Sequence, residues 1–217
     1  MDIRVGPDAA ERAADWIARR LRDAHRRRGS ASLALSGGGT APPMISALLD
    51  QPMPWDTTTV WQVDERVAPD GDPARNAEQL AALPCRVRPM PVTATDLRRA
   101  ARQYGATLPD RLDVVHLGLG DDGHTASWPP GDDRPIDSDR SVELVAQFHG
   151  LPRMTLTRRV VNGARSRVVL TVGPGKRAMV ERWLLRDRSL PITRVRSAST
   201  WVFLDDEAAP AGFRPTH

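Results

Sequence analysis

The chain is poor in cysteine, tyrosine and lysine: its 217 residues hold one of each, Cys85, Tyr104 and Lys176. A lone cysteine excludes an internal disulfide, and no Cys/His grouping has the spacing of a zinc site. Cys85 lies in "ALPCRVRP", a short connection near a sheet edge, and reads as an ordinary small residue rather than a nucleophile. No run approaches the roughly 20 consecutive apolar residues that cross a bilayer. The opening "MDIRVGPDAAERAADW" carries charges where a secretory signal needs its apolar region, so a cytoplasmic protein without a membrane partner is expected. No internal repeat or long polar linker divides the chain. A single domain over 1–217, large enough for one sizeable core, is expected.

The formal net charge is only +4, and all but one of the 31 basic residues are arginine. They are scattered over almost every predicted helix among acidic neighbours. The densest run, "HRRRG" at 25–29, ends the first helix, where cations complement the helix dipole and Gly29 supplies the cap. A nucleic-acid footprint would be a basic stripe with aromatic platforms. None is present, and no nucleic-acid partner is expected.

Asp8 with Glu11 has the form of a capping box. The helix after it puts Ala13, Trp16, Ile17, Leu21 and Ala24 on one stripe. "SASLAL" predicts a strand, "PPMISALLD" a helix and "TTTVWQV" a strand ending at "DER". "NAEQLAAL" and "TDLRRAARQYGATL" are helical in composition, and "LDVVHLGL" is a strand. After a Pro- and Asp-rich loop at 129–139, "SVELVAQF", "RMTLT" and "SRVVLTVG" favour strands. "GKRAMVERWLL" is an amphipathic helix with Ala178, Met179, Arg182, Trp183 and Leu185 on its buried side, and "STWVFLD" is the last strand. Strands alternating with helices imply an α/β fold: a mostly parallel, Rossmann-like sheet with helices on both faces. Ligands bind such sheets beyond the carboxyl ends of the strands. "SGGGT", "DERV" and "GLGDDGHTAS" each begin where a predicted strand stops, so all three should meet on one face.

Each motif has chemistry and a plainer explanation. Gly37, Gly38 and Gly39, between Ser36 and Thr40, can turn backbone N–H groups toward an anion ahead of a helix N-terminus. The motif lacks the endings of the nucleotide-binding loops, and a tight turn would explain it equally well. In "DERV", extended backbone puts Asp64 and Arg66 on one side and Glu65 on the other. Arginine suits forked binding of phosphate or carboxylate, although a surface ion pair is the ordinary explanation. In "GLGDDGHTAS", Asp122 stands two residues before His124, able to orient the imidazole or bias its protonation. His25, His116, His149 and His217 lack such surroundings and read as structural or exposed.

These stretches, in this order, resemble the 6-phosphogluconolactonase family. "SGGGTAP", "DERVAPDGDPARN" ending at Asn76, "GLGDDGHTASWPPG", "RMTLT", "VGPGKRA" and "LPITRVRS" follow its pattern over residues 30 to about 207. The resemblance implies the sugar-phosphate isomerase type of α/β fold. It also implies hydrolysis of 6-phospho-D-glucono-1,5-lactone to 6-phospho-D-gluconate, the second step of the oxidative pentose phosphate pathway, with no cofactor and no metal. It assigns the general base to His124 and phosphate binding to Arg66 and Lys176, and it places Asp64 and Asp122 in the site. Gly37, Gly38, Gly39, Thr40 and Arg153 are further expected contacts. The partner implied is a small sugar-phosphate lactone, bound by a monomer or weak dimer. Departures are Gly39 and Ala41 in the glycine loop, Arg75 where a serine usually precedes Asn76, and Trp128–Pro129, expected at the rim over the sugar.

Such a reaction needs an activated water, donors for the oxyanion and a grip on the phosphate. A histidine serves the first, and amides of the glycine loops are natural candidates for the second. The rival activity on this scaffold, deamination or isomerisation of a sugar phosphate such as glucosamine 6-phosphate, uses an Asn-Glu-Pro after the histidine motif. Ser127, Trp128 and Pro129 stand there instead. A non-catalytic sugar-phosphate sensor would need Arg66 and Lys176 but has no use for a base.

Overall fold

Five consecutive residues, Ala31–Leu35, are buried on both faces of the strand they form, which requires cover on both sides of the sheet. The computed structural model, which describes residues 1–213, supplies that cover. Along the chain run β1 (Asp2–Val5), α1 (Ala9–Arg28), β2 (Ala31–Leu35), α2 (Ala41–Leu49), β3 (Thr58–Gln62), β4 (Asp64–Arg66), α3 (Ala77–Leu80), β5 (Arg86–Arg88) and α4 (Leu97–Ala106). Then follow β6 (Val114–Leu117), α5 (Arg134–Asp137), β7 (Val142–Phe148), β8 (Leu151–Leu156), α6 (Arg158–Gly163), β9 (Ser166–Thr171), α7 (Arg177–Leu184) and β10 (Thr200–Leu204).

The main sheet has seven strands in the order β1-β10-β9-β6-β2-β3-β5, every pair parallel. Side chains alternate across it: Leu33 and Leu35 pack with Ala13, Ile17 and Leu21 of α1 and Met44 of α2, while Ala34 joins the opposite core with Tyr104, Leu117 and Trp183. A second, three-stranded antiparallel sheet, β4-β8-β7, stands apart from the first. The strand of "TTTVWQV" ends ahead of "DER" as expected, but "DER" is itself a strand rather than a strand end. β3 stops at Gln62, Val63 bridges to Leu35 and Leu156 through its backbone, and Asp64–Arg66 begins the smaller sheet. Edge strands β1 and β5 are too short and charged to show in the sequence as strands.

Two local expectations fail for physical reasons. Asp8 occupies the N-cap of α1 but its side chain makes no capping bond; it lies 3.9 Å from the Arg12 guanidinium instead. In α7 the buried residues are Val180 and Trp183, whereas Ala178 and Arg182 are exposed and Leu185 is 78 % exposed. The stripe that meets the core, with half-buried Met179 and Leu184 beside it, is rotated from the expected one. Only Trp183 and Met179 are shared.

Two buried polar side chains matter for stability. Arg167 is almost wholly enclosed and its guanidinium donates to the carbonyls of Asn162, Ala164 and Ser199 at 3.2, 2.9 and 3.1 Å and to Thr200 Oγ1 at 2.9 Å. It thereby clamps the turn before β9 to the turn before β10. His116, in the middle of β6, is fully buried with neither ring nitrogen hydrogen-bonded. Burial depresses its pKa from 6.5 to about 4.

Candidate active site

The loops that follow β2, β6 and β9 all leave the carboxyl edge of the main sheet, and β4 runs up beside them. Together they enclose a cavity of about 620 Å³ lined by Ser36–Thr40, Asp64, Arg66, Asn76, Gly118–Asp122, His124, Arg153 and Lys176, among others. The three motifs therefore meet on one face, as the parallel-sheet rule requires.

His124 is held by its own loop. Gly120 N–H donates to the His124 carbonyl at 2.8 Å and Gly123 N–H to the Gly120 carbonyl at 3.1 Å. Thr125 Oγ1 donates to the Gly118 carbonyl at 2.8 Å. Gly123, at φ +86, takes the left-handed turn that other residues resist. The His124 ring packs so closely over Gly120 that a Cβ there would lie 1.9 Å from Nδ1. Asp122 Oδ1 accepts from the His124 amide at 3.0 Å and faces its Nδ1 at 2.5 Å. Partial burial raises the Asp122 pKa, but the bonds from the His124 ring and amide outweigh it and hold the carboxyl at about 2. An ionised carboxylate accepts the Nδ1 proton, which leaves Nε2 as the basic nitrogen of a neutral ring.

Arg66 is fixed from below. Its Nη1 donates to the Ala74 carbonyl at 2.7 Å and to Asn76 Oδ1 at 2.5 Å. Glu65, fully enclosed on the other side of the strand, accepts from the amides of Arg66, Asn76 and Ala77 at 2.8, 2.7 and 2.8 Å. Arg75 closes this knot, 3.2 Å from Glu65 and 2.8 Å from Asp70. Asp64 faces the cavity wall, with Ser127 Oγ donating to its Oδ2 at 2.6 Å. Burial pushes its pKa up, against the pull of Ser127, Arg66 and Arg153.

Lys176 Nζ pairs with exposed Asp121 at the mouth. Arg153, paired with Arg66 across β4 and β8, lines the cavity but spends its guanidinium on the Phe148 carbonyl, at 3.2 and 3.0 Å. Three glycine amides are already taken: Gly38 N–H donates to Gln79 at 3.1 Å, and those of Gly120 and Gly123 hold their own loop. The supply of backbone donors for an anion is thus narrower than three glycine loops suggest.

The model of the family described as glucosamine-6-phosphate isomerases/6-phosphogluconolactonase matches residues 6–204. The chain belongs to that family. A 6-phosphogluconolactonase from Synechocystis sp. is 30 % identical over 94 % of each chain. A 6-phosphogluconolactonase from Thermotoga maritima superposes with a TM-score of 0.85 at 22 % identity, over 94 % of this chain and 98 % of that one. A monomeric glucosamine-6-phosphate deaminase does so with a TM-score of 0.83 at 18 % identity, over 96 % of this chain and 98 % of that one. The family fold is common to both activities. The residues in the cavity have to discriminate.

Two departures from the family pattern gain explanations. Arg75, read as a departure in the sequence, sits 3.2 Å from the buried Glu65 that organises the Arg66 loop. Trp128 is not at the rim: it is fully buried in the core, and its Nε1 donates to the Leu156 carbonyl at 2.8 Å. Four contributors lay outside the sequence expectations. Asp121 and Ser127 are ordinary loop residues until the fold pairs them, and Phe148 and His149 arrive from the β7–β8 turn. The Phe148 ring meets His124 edge-on, with centroids 4.8 Å apart. His149, expected to be structural or exposed, is exposed at 59 % of its side chain and also lines the cavity. Asp122, His124 and His149 offer ligand atoms within 4.8 Å of one another, enough for a metal ion in principle. His217 lies outside the described residues. Among those residues no helix is long and apolar enough to cross a membrane.

Proposed function

We propose that this chain hydrolyses 6-phospho-D-glucono-1,5-lactone to 6-phospho-D-gluconate. The observation that carries this is an Asp122-held imidazole at His124 in the same cavity as Arg66 and Lys176. His124 Nε2 takes a proton from water as the oxygen attacks the lactone carbonyl carbon. The tetrahedral intermediate collapses with cleavage of the bond to the ring oxygen, and the proton on Nε2 passes to that leaving oxygen. The product acid then ionises. Asp122 keeps the proton of the neutral ring on Nδ1 and steadies the imidazolium that forms. General-base help of this type is worth roughly 10²–10⁴ in rate.

Arg66 and Lys176 neutralise the phosphate, with Thr40 at the same wall. Asp64, tied to Ser127 and flanked by Arg66 and Arg153, has the part of a site-shaping carboxylate. It makes no bond to His124. Deamination or isomerisation of an amino-sugar phosphate would need a further carboxylate after the histidine motif. Ser127 is committed to Asp64 and Trp128 to the core, so no such group is at hand.

The test is a proton-release assay of lactone hydrolysis at mildly acidic pH, where the uncatalysed reaction is slow. Turnover is expected for the parent and loss to near background for a folded His124→Ala. Full turnover in that variant would overturn the assignment. Ammonia release from glucosamine 6-phosphate would favour the deaminase instead.

A further inference from the structure

The β7–β8 hairpin turns through His149 and Gly150 alone, because Phe148 pairs with Leu151. Both turn residues are left-handed, at φ +49 and +82. Two-residue hairpins of this shape take Asn-Gly or Asp-Gly, since positive φ strains most side chains. Histidine enters the left-handed region more readily than most side chains but is not the residue such a turn selects, so what its ring touches is the informative part.

Its ring goes to the base. It packs tilted against Phe148, with ring centroids 4.1 Å apart, and comes within 5.5 Å of the His124 ring. Its Nε2 lies 3.9 Å from Asp122 Oδ2, the oxygen His124 does not use. The charged and titratable groups around it are Asp122 and His124 from the loop after β6 and Arg153 from β8, whose guanidinium sits 5.6 Å from the Phe148 ring centroid. A carboxylate bonded through one oxygen can still rotate about its last torsion, which is broad. A second donor on the other oxygen stops that rotation, and a swing of about 1 Å brings His149 to hydrogen-bond distance.

We propose that His149 is a positioning residue: it engages the free oxygen of Asp122 and so fixes the Asp122–His124 pair against the cavity. The kinetic side of this rests on the lactonase reading; the structural side does not. Asparagine suits the left-handed turn and lacks the imidazole, so His149→Asn separates the ring from the fold.

The experiment measures lactone kinetics, thermal melting and the proton NMR signal of His124 Nδ1–H in the whole chain. For His149→Asn, kcat falls about tenfold with KM within about twofold, as loss of alignment without loss of binding requires. Melting is not lowered, and the downfield Nδ1–H signal, sharp in the parent, broadens through exchange with water. Unchanged kcat, a sharp signal in the variant, a rise in KM matching the fall in kcat, or no protected signal in the parent would each overturn the proposal. If the parent shows no lactone turnover, the functional reading fails and the Nδ1–H signal alone decides the role of His149.

Discussion

Replacing Gly120 by alanine adds one methyl group directly beneath the proposed base. The backbone tolerates it, because Gly120 is not among the residues at positive φ. The space does not. A Cβ would stand 1.9 Å from His124 Nδ1, 2.1 Å from Cε1 and 2.7 Å from Cγ, where ordinary contact is roughly 3.5–4 Å. Residue 120 cannot retreat, since its amide and carbonyl are both bonded inside the loop, to His124 and Gly123. The ring must therefore move by more than about 1 Å, and the 2.5 Å contact to Asp122 is lost.

A base displaced that far forfeits most of its contribution, about 10²-fold or more in kcat, equivalent to about 3 kcal/mol of barrier. Arg66 and Lys176, the proposed phosphate ligands, lie away from the added methyl, so 6-phosphogluconate should bind within a few-fold of the parent. Gly163→Ala serves as control: its Cβ meets nothing within 4 Å. Proton-release kinetics, calorimetric binding and a melting curve complete the measurement. A folded Gly120→Ala protein with kcat within about threefold of the parent would refute the placement of His124 as the base.

Gly37→Ala attacks the other end of the cavity. Its Cβ would fall 2.1 Å from Asn76 Oδ1, the partner of Arg66, so KM should rise about tenfold with kcat less affected; equal binding of 6-phosphogluconate would disconnect Arg66 from the phosphate. His116 controls acid stability. It is neutral in the fold down to about pH 4 but protonates near 6.5 when unfolded, so the unfolded chain binds the extra proton between those values. Its contribution is intact above pH 6.5 and is lost as the pH falls toward 4, by about 3 kcal/mol in all. Urea titrations of His116→Leu should show a stability curve flatter than the parent's in that window, and parallel curves would refute the burial argument. Arg167→Leu strands several enclosed carbonyls and should lower unfolding free energy by about 3 kcal/mol. A change below about 1 kcal/mol in urea would show that water replaces the guanidinium.

Much of the layering was legible because it rests on periodicity. The stripe Ala13, Trp16, Ile17, Leu21 and Ala24 is buried as spaced, and the strand–glycine–helix order forces a parallel sheet with its loops at one edge. What escaped was pairing between segments far apart in the chain. β1 and β5 are strands because long partners lie beside them, not because "DIRV" or "RVR" favours extension. β4 left the main sheet for β8, which no local pattern reveals. Trp128 was placed at the rim by its neighbours in sequence, while a core on the far side had room for an indole and a carbonyl to accept its N–H.

The order of residues alone set which chemistry was at hand: an imidazole two residues after a carboxylate in a glycine turn, an arginine on a strand and the one lysine ahead of a helix. It also set their common edge, since strand direction follows from the alternation of elements. Only the tertiary structure decided what each group touches. It gave Asn76 to Arg66, turned Ser127 toward Asp64, spent the Gly38 amide on Gln79 and brought His149 beside His124. Those contacts join segments up to 63 residues apart, and their geometry comes from packing two sheets against shared cores rather than from any local preference.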